Sequence, residues 1–106
     1  MNRGIIIGNL TRDPELRQTA EGISVCSFIV AVNRRVAKGA PQTADYFRVT
    51  AWRGLADTCH QYLQKGNKVM VSGPVSVSTY QASDGTTRAS LDMLAEEIEF
   101  LTPRPQ

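Results

Sequence analysis

The chain has 106 residues, 42% of them hydrophobic and 21% charged, with a formal net charge of +2. That length supports one domain, spanning residues 1–106, with a core large enough to fold without staples, and no apolar run approaches the ~20 residues of a membrane span. A charge this small identifies no partner by itself, so its distribution along the chain has to carry the reading.

The first residues, Met1 to Gly8, run straight into a short apolar strand over 3–10, without the long apolar region and small-residue cleavage site of a signal peptide. Nothing there directs the chain out of the cytosol, and a cytoplasmic location is expected. Pro14 cannot donate to a sheet ladder, so Thr11-Arg12-Asp13-Pro14 marks a break or an edge. A second strand runs from Ile23 to about Arg34, with Cys26, Phe28, Val30 and Val32 on its core face. A polar loop, Gly39-Ala40-Pro41-Gln42, follows.

The third strand, Asp45 to Trp52, says most about function. Successive strand side chains point to opposite faces. Phe47, Val49 and Ala51 can pack inward, leaving Tyr46, Arg48, Thr50 and Trp52 outside. Rings interleaved with cations suit unpaired nucleic acid, since bases stack on the rings and phosphates pair with guanidinium. The same pattern also fits a second packed face or an oligomer contact. Leu55, Cys59, Tyr62 and Leu63 then recur at helical spacing over residues 54–64, and Lys65-Gly66 suits a helix end. Val69, Val71, Val75 and Val77 alternate through a fourth strand ending near Tyr80. Ser83-Asp84-Gly85-Thr86 is a hairpin turn, and a fifth strand covers 87–100. Three strands, a helix and a two-stranded hairpin give an all-β class with one helix. This is the order of the OB-fold, a five-stranded Greek-key barrel with its helix between strands three and four.

Arg34, Arg35, Lys38, Arg48 and Arg53 face only Asp45 in mid-chain, whereas Asp92, Glu96, Glu97 and Glu99 make the end acidic. One part of the molecule is therefore expected to be much more positive than the average, which concentrates phosphate locally. Cys26 and Cys59 have no metal-ligand spacing and read as buried free thiols. His60 has no plausible partner for a metal. Asp13/Glu15 and Glu96/Glu97 do not converge on one site, and no Ser, Cys or Lys has an evident activating partner. The expectation is no metal, no cofactor and no catalytic residue.

The chain also resembles the bacterial single-stranded DNA-binding proteins along nearly its whole length. Gly8-Asn9-Leu10-Thr11-Arg12-Asp13-Pro14-Glu15-Leu16-Arg17 is similar to their opening. Ala31-Val32-Asn33-Arg34, Asp45-Tyr46-Phe47, Ala51-Trp52-Arg53, Tyr62-Leu63-Gln64-Lys65-Gly66 and Ala95-Glu96-Glu97-Ile98-Glu99-Phe100-Leu101 continue the match in order. The resemblance implies an OB-fold, usually a homotetramer, that wraps single-stranded DNA without sequence preference during replication, recombination or repair. A dimer is the smaller assembly in view. Of four stacking positions it implies, three fall on Tyr46, Trp52 and Tyr80, and the fourth on Val36, which has no π-face. Arg34, Arg35 and Lys38 flank a loop resembling a DNA-contacting loop, and Arg48 and Arg53 border the aromatic face. Arg3 and Lys65 are weaker phosphate candidates, and Tyr62 is read as packing. The fourth strand, Gly73 to Tyr80, carries no cation, where family members often carry several, so weaker and less salt-sensitive binding is expected. The end, Thr102-Pro103-Arg104-Pro105-Gln106, holds no acidic tip of the kind that recruits replication and repair proteins, so such partners are expected only through a tail beyond it. The competing reading is an assembly module that kept the fold and lost strong DNA binding. An RNA-binding OB domain is a smaller alternative.

Overall fold

Alternation along the strand from Ala44 to Trp52 sorts its side chains as the pattern requires. Val49 and Ala51 are fully buried and Phe47 packs at the core edge, while Tyr46, Arg48 and Trp52 face solvent. The computed structural model describes residues 1–102, so the expectation placed on residues 103–106 lies outside the described residues. The elements are β1 (Gly4–Leu10), β2 (Glu15–Gln18), β3 (Ser24–Asn33), β4 (Ala44–Trp52), α1 (Arg53–Tyr62), β5 (Lys68–Gly73), β6 (Val75–Gln81), β7 (Thr87–Leu94) and β8 (Glu97–Phe100).

Eight strand segments stand where five strands are expected, and each extra boundary has a local cause. Pro14 interrupts the first strand, and the chain resumes as β2, pairing antiparallel with β3 from Glu15 opposite Ser27 to Gln18 opposite Ser24. Pro74 splits the fourth strand into β5 and β6. The fifth strand bends at Ala95-Glu96 because it changes partners there. β7 pairs parallel with β4, Arg48 beside Asp92, whereas β8 pairs antiparallel with β5, Val71 opposite Ile98. Between them the Ala95 N–H donates to the Thr50 carbonyl and the Glu96 N–H to the Ser72 carbonyl, both at 2.9 Å.

This change of partner closes the sheet. The ladder runs β6-β7-β4-β3-β1-β5-β8, and the continuous chain from β7 into β8 joins the β4 side to the β5 side. Counted around the ring, β1, β3, β4, β5–β6 and β7–β8 make the five-stranded OB barrel. α1 follows the third of these and precedes the fourth. The helix ends at Tyr62, earlier than the expected residue 64. Gly66 takes the left-handed conformation (φ 90°) in the turn beyond, where its N–H donates to the Leu10 carbonyl at 2.9 Å.

The core lies inside the ring and under the helix. Cys26, Phe28 and Val30 from β3 meet Val49 and Ala51 from β4, Val69 and Val71 from β5, and Ala56 and Cys59 from α1. A one-residue slip of β3 would turn its buried set outward, forfeiting ~1.5–3 kcal/mol for each large apolar side chain. Register is therefore dictated by burial, and register in turn places every outward residue discussed below.

Both cysteines are free and fully buried. Burial pushes the Cys26 thiol up to about 11, and burial aided by Cys26 pushes Cys59 up to about 12. The folded state thus keeps these protons to higher pH than the unfolded chain, whose thiols titrate near ~8.5. The corresponding stability is fully present below that value and is lost as pH rises through roughly 9 to 12. Melting temperature should fall across this window, and fall less steeply in Cys59→Ala. Equal slopes for the two proteins would contradict the assignment.

Candidate nucleic-acid interface

β4 supplies the outward row Tyr46, Arg48, Thr50 and Trp52, with Tyr46 60% and Trp52 42% exposed. At ~3.3 Å per residue the two rings stand about 20 Å apart, with the guanidinium of Arg48 between them. The row ends where the backbone breaks. Trp52 is still extended (φ −119°, ψ 151°), but Arg53 takes φ 61°, a left-handed conformation costing ~1–2 kcal/mol for a residue with a Cβ. α1 therefore starts directly beside Trp52. Its N-terminus has no side-chain cap and no acid in the first turn, so its positive end is not neutralised locally.

Cross-strand register carries this face onto the neighbouring strands. Arg48 lies beside Asp92 of β7, and Asp92 opposite Ser76 of β6. Two-residue steps along the hairpin then bring Ser78 and Ser90, and after them Tyr80 and Arg88, to the same side. Tyr80 is 50% exposed. An open groove of about 420 Å³ runs between these strands, lined by Tyr46, Arg48, Tyr80, Asp45, Ile29 and Ser90 among others. A smaller hollow of about 170 Å³ adjoins Arg48 on its other flank, bounded by Arg12, Asp13, Glu15, Ser27 and Ile29. Tyr80, picked out separately in the sequence, thus shares the sheet face on which alternation placed Tyr46, Arg48 and Trp52.

The expected cations divide into two groups. Arg48, Arg53, Arg35 and Lys38 make no side-chain hydrogen bond or ion pair among the described residues, and all four are exposed. Arg34 does: its guanidinium meets Asp45 Oδ1 at 2.7 Å through Nη2 and donates from Nε at 2.8 Å. That hydrogen bond and the charge of Asp45 raise the arginine pKa further. Any phosphate at Arg34 must compete with Asp45. Arg3 is also engaged, pairing with Glu96 Oε1 at 3.4 Å and donating to Ser72 Oγ at 3.0 Å, across the β7–β8 bend from β4. Arg88, opposite Tyr80, pairs with Asp84 at 3.5 Å. All three pairs are exposed surface contacts, screened by solvent, and add little to stability.

Val36 is exposed in the loop between β3 and β4, so no ring stands at that position. Tyr62, expected to pack, is 40% exposed and holds its ring 6.3 Å from that of Phe100, tilted by 50°. Asp13 accepts the Lys65 N–H at 2.7 Å, a contact that ties the loop after β1 to the turn after α1. Among the described residues no cluster of three or more His, Cys, Asp or Glu side chains is arranged to hold a metal. No helix among them is long and apolar enough to cross a membrane.

Sequence reasoning assigned Asp92 only to a generally acidic chain end. The structure places it on the aromatic face, where its carboxylate accepts from Ser78 Oγ at 2.7 Å and Ser90 Oγ at 3.3 Å. A signal was available. The turn at 83–86 pairs Tyr80 with Arg88, and two-residue steps from there reach Ser90 and Asp92 on the side of Tyr80.

Residues 1–101 match the model of the Single-strand binding protein family. The chain is 39% identical over 102 residues to a single-stranded DNA-binding protein of Clostridium tetani, covering 95% of this chain and 70% of that one. It is 41% identical to single-stranded DNA-binding protein 3 of Clostridium acetobutylicum, at 95% and 71% coverage. A single-stranded DNA-binding protein of Bacillus cereus is 39% identical over 105 residues, at 98% and 62% coverage.

Proposed function

The chain belongs to the single-strand binding protein family, and from that membership we propose that it coats single-stranded DNA, without reading sequence, in replication, recombination or repair. The observation that carries the reading is the shared face of Tyr46, Arg48, Trp52 and Tyr80. Bases stack on the three rings, and Arg48, Arg53, Arg35 and Lys38 neutralise phosphates, with Arg34 joining when it leaves Asp45. Arg3 is the most peripheral candidate, since Glu96 and Ser72 already hold it. Residues 1–106 act as one OB unit in the cytoplasm. The protein binds and protects, and performs no catalysis.

Titration with oligo-dT, followed by quenching of the lone Trp52, tests this with duplex DNA as control. Strong quenching by the single strand and weak response to duplex are expected. The salt slope should be shallow, because β6 presents Ser76 and Ser78 outward in place of cations, and each missing phosphate contact removes ~0.7 from the slope. No quenching and no retention of the oligonucleotide would leave the assembly-module reading in its place. A slope as steep as that of a relative with a basic β6 would refute the salt prediction alone.

Oligomerisation belongs to the same proposal. Ile5 and Ile7 alternate outward on β1, 68% and 50% exposed, and Ile7 lies opposite the half-buried Met70 of β5. An apolar strip on an outer sheet face favours burial against another copy. We expect light scattering to report a tetramer, or at least a dimer, so that one strand can engage several faces at high local concentration. A stable monomer at working concentration would remove this part.

A further inference from the structure

The aromatic row of β4 ends at Trp52, but strand register carries the level of that ring further across the sheet. Val25 of β3 stands opposite Trp52, and Arg17 of β2 stands opposite Val25. Residues directly opposite in antiparallel pairs project to the same face, so Arg17 emerges on the side that carries the rings. Two strand spacings, about 10 Å between backbones, separate it from Trp52. Val25 between them is fully buried and uncharged.

Charge distinguishes this level from its neighbours. At the level of Arg48, Asp92 lies beside it on β7, and the hollow on its other flank mixes Arg12 with Asp13 and Glu15. Level with Trp52, no carboxylate stands in register among the described residues. The ladder between β4 and β7 stops at Thr50 and Leu94, and Glu96 has turned away with the chain to pair with Arg3. Arg17 is exposed and, unlike Arg3, Arg34 and Arg88, makes no side-chain hydrogen bond or ion pair among the described residues. Glu15, the acid on its own strand, lies two residues away opposite Ser27. Arg53 follows Trp52 directly, and the uncapped N-terminus of α1 adds a positive end there. A free guanidinium thus stands on each side of the ring, Arg17 across the sheet and Arg53 along the chain.

Resting on the single-strand-binding reading above, we propose that Arg17 binds a phosphate of the same DNA strand, so that the path continues past Trp52 on to β2 instead of ending with β4. Bases stay over the rings of β4. The added contact is with the sugar–phosphate backbone, which carries no sequence information, so binding remains unselective. The guanidinium suits the role because its planar fork of N–H donors meets two phosphate oxygens at once.

The test is the salt dependence of oligo-dT binding, followed by Trp52 quenching, in wild type, Arg17→Ala and Arg17→Lys. Arg17→Ala should bind about two- to fivefold more weakly at low salt, the scale of one exposed ion pair. Its salt slope should be shallower by ~0.7 per binding face. Arg17→Lys should keep the wild-type slope, and quenching at saturation should be equal in all three because the ring still stacks. An unchanged slope in Arg17→Ala would overturn the inference. So would an equal loss of slope in Arg17→Lys, or a loss of saturating quench in Arg17→Ala, since Arg17 would then support Trp52 without holding a phosphate. In each of these cases single-strand binding itself survives, whereas failure of the wild type to bind oligo-dT would overturn both.

Discussion

Trp52→Ala is expected to weaken oligo-dT binding by roughly 5- to 150-fold, corresponding to the ~1–3 kcal/mol that aromatic stacking contributes per base. Three observations single out this residue. It is the lone tryptophan, it is 42% exposed at the end of the row shared with Tyr46 and Arg48, and the backbone turns away immediately after it. Its register neighbour on β3, Val25, is fully buried yet lies outside the main core cluster, so the ring stands beside a buried side chain as well as facing solvent. Truncation therefore costs some stability as well as stacking, and the two effects must be separated. Trp52→Phe keeps a π-face beside Val25, so it should recover most of the affinity. The salt slope separates stacking from charge. It should stay the same in Trp52→Ala and lose ~0.7 per binding face in Arg48→Ala. Unchanged oligo-dT affinity in Trp52→Ala would exclude stacking at this position.

Gly73→Ala should lower folding stability by about 3 kcal/mol or more, a large share of the ~5–15 kcal/mol that holds a typical domain together. Gly73 is the last residue of β5 and has φ 156°, a conformation that residues with a Cβ rarely adopt. An added Cβ would run into the carbonyl oxygen of Leu94 and lie 3.2 Å from the Glu96 nitrogen. Both are backbone atoms of the bend where β7 passes into β8 and the barrel closes, so no side chain can swing aside to make room. Relief would require opening the closure itself. Gly22→Ala is the matching control. Gly22 is also left-handed (φ 82°), but its Cβ would meet nothing within 4 Å, so only the ~1–2 kcal/mol conformational cost applies. Urea midpoints should rank wild type, Gly22→Ala, then Gly73→Ala, and equal midpoints for the two variants would refute the steric argument.

The two predictions probe different parts of the molecule, because the residues proposed to touch DNA are not those that hold the barrel shut. Stability resides in Val30, Val49, Val69, Val71 and their buried neighbours and in the Gly73–Leu94 junction. The proposed binding chemistry resides in side chains on the opposite face of the same strands. Period-two alternation lets one strand, β4, serve both purposes without compromise: Val49 and Ala51 are fully buried between the exposed Arg48 and Trp52. The interface is thus an outer layer laid on a core that specifies it through register.

Much of this was legible from local pattern. Period-two runs, a helical period at 55–63 and breaks at Pro14 and Gly66 gave the order of elements, and alternation along residues 45–52 put Tyr46, Arg48 and Trp52 on one side. These signals depend on neighbours a few residues apart, so the chain alone determined them. Tertiary structure decided what depends on distant partners. The fifth strand bends because Ala95 and Glu96 bond to Thr50 and Ser72, residues far away in the chain. Arg34 is tied to Asp45, and Arg3 to Glu96, because strand pairing brings them within reach. Asp92 stands beside Arg48, with Ser78 and Ser90 against it, because β7 pairs with β4 on one edge and β6 on the other. Composition counted Asp92 as one more negative charge. Only the paired strands, whose register is set by burying one face, made it part of the surface that carries the aromatic rings.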